Sequence, residues 1–148
     1  MDEHDLRIRN HLYRSFAETG NALAPAECAA DLGLGEDGVA DAYRRLHAAH
    51  ALVLEAGTTR IRMLNPFSAV ETPHRVAAAG RSWFANCAWD ALGIPGALQT
   101  DGSVRSECPD CGDPLELEVR DGTLVRGDDL LVHFVVPARR WWDDIAFT

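Results

Sequence analysis

The N-terminal part of the chain alternates segments of helical periodicity with short helix-breaking segments, and this order restricts it to few folds. Apolar residues at helical spacing predict three helices, over residues 5–18, 25–32 and 36–50. Pro25 suits the first turn of the second helix, because an N–H at that position has no partner within the helix. The Gly-Leu-Gly sequence at 33–35 predicts the tight turn before the third helix.

Two short apolar runs follow the third helix and predict a β-hairpin. Residues 52–54 and 60–64 flank the turn sequence Gly57-Thr58-Thr59. Three helices followed by a hairpin have the element order of a winged helix. We therefore predict a winged-helix-like module over residues 1–65.

Winged helices often recognise DNA, but the charge pattern of this chain opposes that role. The third helix begins with Glu36 and Asp37, and it sets Asp41 against Arg44 and Arg45. The net charge of the chain is -9, whereas nucleic-acid-binding surfaces are normally basic. A nucleic-acid partner is therefore not expected. A module that serves as a structural partner is favoured over a DNA-binding regulator.

The second half, residues 66–148, predicts a compact unit, so that the whole chain is of the α+β class. The Asn-Pro-Phe-Ser sequence at 65–68 is expected to be the hinge between the two modules. A strand over residues 74–79 and a bend at Gly80 follow.

Ser82 is the expected N-cap of a helix that contains Cys87 and ends near residues 93–95, where Gly-Ile-Pro stands. Beyond the helix, alternating apolar residues predict three strands of a small, mainly antiparallel sheet, with bends at 121–122 and 127–128. These strands are expected over residues 104–107, 115–120 and 130–136.

The composition allows one core or two small cores that share an interface, since 47% of the 148 residues are hydrophobic. No apolar run approaches the roughly 20 residues needed to cross a membrane, and the acidic N-terminus lacks a signal-peptide core. A cytoplasmic location without a membrane partner is therefore expected. In that compartment the four cysteines indicate metal or thiol chemistry rather than disulfides.

A thiol and a carboxyl group lie three residues apart in the apolar segment 82–95. Residues at i and i+3 share a helix face, so Cys87 and Asp90 can reach one point. A thiolate captures soft metals, and a carboxylic acid can protonate a group that leaves the metal. From the residues alone, a core cysteine beside an exposed aspartate stays the alternative, because free cysteine is commonly buried.

Several short motifs carry a family resemblance in the right order along the chain. The first is Cys-Ala-Trp-Asp-Ala-Leu at 87–92, followed by Ile94-Pro95. The others are Ser-Glu-Cys-Pro at 106–109 with Gly-Asp-Pro at 112–114, and the segments 132–137 and 141–148. Together they resemble the alkylmercury (organomercurial) lyases, well over residues 66–148 and only in architecture before that.

The resemblance implies a mechanism and assigns residues to it. Cys87 would bind mercury, and Asp90 would protonate the departing carbon. The family's second catalytic cysteine is expected just beyond Thr148, where this sequence stops. We therefore expect a poor lyase unless Cys108 or Cys111 supplies the second thiolate, and Cys111 is the favoured substitute. No organic cofactor is implied, but a small-molecule thiol would be needed to remove the product.

The Cys-Pro-Asp-Cys-Gly segment at 108–112 is a second candidate metal site. Its shape is that of a zinc knuckle, in which the turn points both sulfur atoms at one ion. A structural zinc ion requires four ligands, and the chain has no second Cys-x-x-Cys pair; Cys87 or His133 can join, whereas Cys28 lies in the other module. The family resemblance implies instead a tight turn that holds Cys108 as a structural thiol.

Aromatic residues near the C-terminus have two interpretations. Trp141 and Trp142 can roof an apolar pocket for an organic group, with Asp143 and Asp144 nearby as acids. Plain packing on the sheet is the alternative. His133 is interpreted as a strand residue rather than a ligand.

The sequence thus leads to one favoured function and two alternatives. The favoured function is protonolysis of carbon–mercury bonds by Cys87 and Asp90, with an organomercurial as the substrate. The first alternative is a non-catalytic protein that binds mercury or zinc through Cys87, Cys108 and Cys111. The second is the winged-helix regulator. The oligomeric state does not follow from the sequence.

Overall fold

Three helices form the N-terminal part of the protein in the computed structural model, which describes residues 1–145. They are α1 (Glu3–Thr19), α2 (Pro25–Leu32) and α3 (Glu36–Ala48). Asp2 caps α1, because its Oδ1 accepts a hydrogen bond from the Asp5 N–H at 2.8 Å. Gly20 ends that helix in the left-handed region, with φ of 74°. The three predicted helices are confirmed.

Eight strands build one sheet, and every neighbouring pair is antiparallel. The order across the sheet is β1-β2-β3-β5-β4-β6-β7-β8. This confirms the α+β class and the mainly antiparallel sheet. The strands are β1 (Val53–Leu54), β2 (Ile61–Leu64), β3 (Phe67–Ser68), β4 (Arg75–Ala78), β5 (Arg81–Ala85), β6 (Gly102–Glu107), β7 (Pro114–Arg120) and β8 (Thr123–Arg126).

The segment expected to be a hinge is part of the sheet instead. Phe67 and Ser68 form β3, which joins β2 to β5. The buried Phe67 ring lies 5.4 Å from that of Phe16 in α1 and 6.1 Å from that of Trp83 in β5. The sheet and the core are therefore continuous across residue 65. The division into modules 1–65 and 66–148, and the winged-helix assignment of the first, stay predictions.

The expected N-cap at Ser82 is wrong. Ser82 lies in β5, opposite Ala77 of β4. The helix α4 runs over Ala88–Leu98, and its N-cap is Cys87. The mostly apolar segment from Trp83 to Ala91 is compatible with a strand and with a helix. The spacing of its apolar residues therefore could not show where the strand ends and the helix begins.

The expected helix end near residues 93–95 is also wrong, because α4 continues through Pro95 to Leu98. A proline inside a helix loses one backbone hydrogen bond. Here the ring is buried and packs against β6, where a Cβ on Gly102 would lie 2.7 Å from Pro95 Cγ. Burial against the sheet offsets the lost hydrogen bond.

This close approach makes Gly102→Ala destabilising. An added Cβ would also lie 3.3 Å from the Ala77 carbonyl oxygen, and neither the proline ring nor a paired strand can move freely. We expect the free energy of unfolding to fall by about 1–3 kcal/mol, measured by urea denaturation. Gly96→Ala is the control, since a Cβ there meets nothing within 4 Å and alanine favours a helix. Equal stability of the two variants would contradict this packing.

The strand expected over residues 130–136 is not formed. The segment is irregular, and Leu131 and Val135 are 95% and 76% exposed. The bend at 127–128 turns the chain away after β8, with the Leu130 N–H bonded to the Gly127 carbonyl at 3.1 Å. A 3-10 helix, Ala138–Asp143, follows. Among residues 1–145, no helix is long and apolar enough to span a membrane.

Candidate active site

Cys87 lies at the junction of β5 and α4 and caps the helix with its own side chain. Its backbone is extended, with φ of -149° and ψ of 178°. Its Sγ accepts a hydrogen bond from the Asp90 N–H at 3.4 Å, and its carbonyl oxygen accepts one from the Ala91 N–H at 3.0 Å. The thiol is therefore held at the positive end of the helix dipole.

Asp90 stands within reach of this thiol. The Cys87 thiol donates to the Asp90 carboxylate, with 3.6 Å between Sγ and Oδ2. Burial raises the pKa of Asp90, while hydrogen bonds from Asn86 and Cys87 oppose that rise. A raised pKa favours the protonated carboxyl group, which is the form that a general acid requires.

The Cys87 thiol is also biased toward its protonated form. Burial raises its pKa most, and the Asp90 carboxylate adds to the rise. The backbone N–H groups of Asp90 and Trp89 act in the opposite direction, since they stabilise the thiolate. Before a metal arrives, the sulfur therefore favours the thiol form, which donates to the Asp90 carboxylate, and capture of a soft cation by the sulfur would release the thiol proton beside Asp90.

Two cavities meet at Cys87. The smaller, of about 50 Å³, also includes Asp90 in its wall. The larger, of about 350 Å³, is also lined by Cys87, and its wall is mostly apolar. It is lined by His74, Asn86, Cys87, Pro109, His133, Phe134, Val135, Val136, Trp141 and Ile145.

Aromatic side chains form the wall opposite Cys87. Phe134 packs between Trp89 and Trp141, with ring centroids 6.3 Å and 5.0 Å away. The Trp141 indole N–H donates to the Val136 carbonyl at 2.8 Å, which fixes the ring over the cavity. One of the two tryptophans thus lines the pocket. The other, Trp142, stacks on His50 at 3.9 Å instead.

Asp143 and Asp144, the two acids predicted near this wall, do not lie beside the Cys87 thiol as Asp90 does. The Asp143 carboxylate accepts a hydrogen bond from the Arg140 guanidinium at 2.9 Å. Neither Asp143 nor Asp144 belongs to the described walls of the two cavities at Cys87. Asp90 is the carboxyl group that the structure brings to the thiol.

Sequence reasoning missed Asn86, which lines both cavities. Its side-chain N–H donates to Asn65 Oδ1 at 2.9 Å and to the Phe67 carbonyl at 3.3 Å. Its own Oδ1 is buried and has no partner among the described residues. Buried polar atoms normally have partners, so this oxygen is available to a ligand. The signal in the sequence was a polar residue directly before the candidate cysteine.

His74 was missed as well, and no local motif marks it. Its Nδ1 lies 2.7 Å from Ser106 Oγ, and its backbone N–H donates to Thr72 Oγ1 at 3.2 Å. Burial lowers the pKa of His74, so the imidazole is neutral at neutral pH. It lies in the wall of the larger cavity together with His133.

Cys108 and Cys111 lie in the turn between β6 and β7 and are absent from the described walls of both cavities. Only Pro109, from the same turn, lines the larger one. Within residues 1–145, no three or more His, Cys, Asp or Glu side chains form a group that could hold a metal ion. A metal site that joins Cys87 to Cys108 and Cys111 stays a prediction.

The comparisons with known proteins show the family of this chain. The sequence model of the alkylmercury lyases, MerB, matches residues 67–148, and the chain therefore belongs to the alkylmercury lyase family. Among solved structures, it is similar to the mercury-bound form of MerB2, with a TM-score of 0.69 and 25% sequence identity. That match covers 85% of this chain and 60% of MerB2. The comparison with curated proteins finds no match.

Proposed function

We propose that this protein cleaves carbon–mercury bonds by protonolysis, with Cys87 as the metal-binding thiolate and Asp90 as the proton donor. The observation that carries the proposal is the 3.6 Å contact between Cys87 Sγ and Asp90 Oδ2 beside an apolar cavity. The family membership and the similarity to a mercury-bound relative support it.

The first step is capture of the substrate. The Cys87 sulfur replaces the weakly held anionic ligand of an organomercury cation, and the thiol proton moves to the adjacent Asp90 carboxylate. The helix N–H groups of Trp89 and Asp90 stabilise the sulfur as it loses its proton. Burial favours the protonated carboxyl group that results.

The second step breaks the carbon–mercury bond. Asp90 returns its proton to the carbon atom, the bonding electron pair stays with carbon, and a hydrocarbon leaves. Mercury(II) remains on Cys87 with no change of oxidation state. The apolar wall of Phe134 and Trp141 suits the organic group and excludes water that would compete for the proton.

A small-molecule thiol completes the cycle. It supplies a second sulfur ligand, which raises the electron density at mercury, and it carries the product away. A reducing compartment such as the cytoplasm provides such thiols and keeps Cys87 reduced. No organic cofactor takes part in this sequence of steps.

Release of hydrocarbon tests the proposal directly. We expect the chain to form benzene from phenylmercury acetate in the presence of cysteine, measured by gas chromatography, well above the rate of the same solution without protein. Mercury that stays bound to the protein while no benzene forms would overturn the proposal. That outcome would favour the alternative, a soft-metal-binding protein without catalytic activity.

A further inference from the structure

The turn that carries Cys108 and Cys111 is a closed hairpin loop between β6 and β7. The Cys108 N–H donates to the Asp113 carbonyl at 2.9 Å, and the Gly112 N–H donates to the Cys108 carbonyl at 2.8 Å. Gly112 adopts φ of 74°, which favours glycine. These bonds hold the ends of the loop together, so both cysteines belong to one closed turn.

The two thiols interact with each other and differ in acidity. The backbone N–H groups of Cys111 and Asp110, and then the Cys111 thiol, lower the pKa of Cys108. For Cys111 the Asp113 backbone N–H favours the thiolate, but the Asp113 carboxyl group and Cys108 outweigh it and raise the pKa. The two side chains therefore interact within one turn, in which Cys108 is half-buried and Cys111 is exposed.

The number of cysteine ligands in this turn determines whether it suits zinc or mercury(II). A structural zinc ion takes four protein ligands, but no group of three or more candidate ligands exists among the described residues. Mercury(II) is a soft ion that is satisfied by two thiolates. A pair of cysteines on one turn therefore suits mercury(II) better than zinc.

The position of the turn relates it to the active site. Pro109, between the two cysteines in sequence, forms part of the wall of the larger cavity beside Cys87. Cys87 is half-buried, whereas Cys111 is exposed. The turn thus borders the cavity that Cys87 also lines, and it carries an exposed thiol.

We propose that Cys108 and Cys111 form a two-thiolate site that receives mercury(II) from Cys87 and holds it at the protein surface. That the mercury(II) comes from Cys87 rests on the proposed lyase function. The ability of Cys108 and Cys111 to bind mercury(II) does not depend on cleavage of a carbon–mercury bond. This role differs from that of a second catalytic thiolate, because neither cysteine lines the described cavities.

The transfer of mercury(II) from Cys87 to the turn is a ligand exchange, in which no electrons are gained or lost. Two bonds break, from mercury to Cys87 and to its second ligand, and two bonds form, to Cys108 and Cys111. The thiol protons of Cys108 and Cys111 pass to the departing Cys87 thiolate and to the second ligand as it leaves. Mercury stays in the +2 state throughout.

The first experiment locates the metal in the unchanged protein. One equivalent of mercury(II) chloride is added to the reduced chain, the free thiols are alkylated with iodoacetamide, and the cysteines are mapped by mass spectrometry. We expect Cys108 and Cys111 to be protected and Cys87 to be alkylated. Protection of Cys87 with alkylation of the other two would overturn the proposal. Buried Cys28 should not react and reports on folding.

The second experiment measures the affinity for mercury(II) by competition with a dithiol chelator. The comparison starts from Cys87→Ser, which removes the active-site thiol so that the turn site is titrated alone. Cys111→Ser in that background should lose at least about a hundredfold, because even partners outside the ligand set contribute 10–100-fold. Equal affinity of the two variants would refute the site. Because both experiments use the inorganic ion, an inactive lyase would leave their outcome unchanged.

Discussion

Replacing Cys87 by serine is expected to abolish carbon–mercury cleavage, and this is the largest effect that we predict. A hydroxyl group is a hard ligand that does not ionise near neutral pH, whereas the reaction requires a soft thiolate on mercury. Loss of a covalent nucleophile typically costs on the order of a thousandfold or more in rate. Single-turnover release of benzene from phenylmercury acetate measures the effect.

A matched control separates chemistry from folding in this experiment. Ser82→Ala changes an exposed side chain in the preceding strand and touches neither cavity, so its cleavage rate should equal that of the unchanged protein. Cys87→Ser should keep the fold, because a serine hydroxyl is a good helix N-cap. Cleavage that survives in Cys87→Ser would remove this residue from the mechanism.

Replacing Asp90 by asparagine is expected to slow cleavage by roughly a hundredfold or more, the usual scale for a lost general acid. The amide has the shape of the carboxyl group but cannot deliver a proton to carbon. Capture of the organomercurial should persist, because the Cys87 sulfur and the backbone N–H groups that stabilise it remain. The measurement is single-turnover hydrocarbon release beside binding of the same compound.

Asp143→Asn is the matched control for Asp90→Asn. Asp143 pairs with Arg140 and lies outside the described walls of the two cavities. Its amide variant should cleave at the rate of the unchanged protein. If Asp90→Asn turned over normally while Asp143→Asn failed, the proton donor would be misassigned.

Short local motifs in the sequence were enough to recognise the alkylmercury lyase family. They were also enough to predict that Cys87 and Asp90 lie close together. Cys87 and Asp90 come together although the helix start was predicted wrongly. Two residues three positions apart lie close together when both are inside a helix. They also lie close together when the first is the N-cap and the second is in the first turn. This part of the site depends on local geometry, which a sequence states directly.

The sequence predictions that proved wrong concern segments whose structure depends on contacts with residues far away in the chain. Phe67 belongs to a strand because it packs on Phe16 and Trp83, and α4 passes through Pro95 because Gly102 leaves room for the ring. Residues 130–136 are an apolar run rich in valine, which is typical of a strand, but they do not pair with the sheet. In each case tertiary packing overrides a local preference.

The sequence by itself thus determined the three N-terminal helices, the α+β class and the Cys87–Asp90 pair, since these need only contacts between residues near in the chain. Only the tertiary structure decided which other groups surround the thiol. It brings Asn86, His74 and Phe134 from three separate segments to one cavity, and Cys111 is absent from the described wall of that cavity. Such an arrangement depends on how the strands pair and on the contact of residues 133–136 with the cavity. Those are contacts between residues far apart in the chain, which spacing and periodicity do not encode.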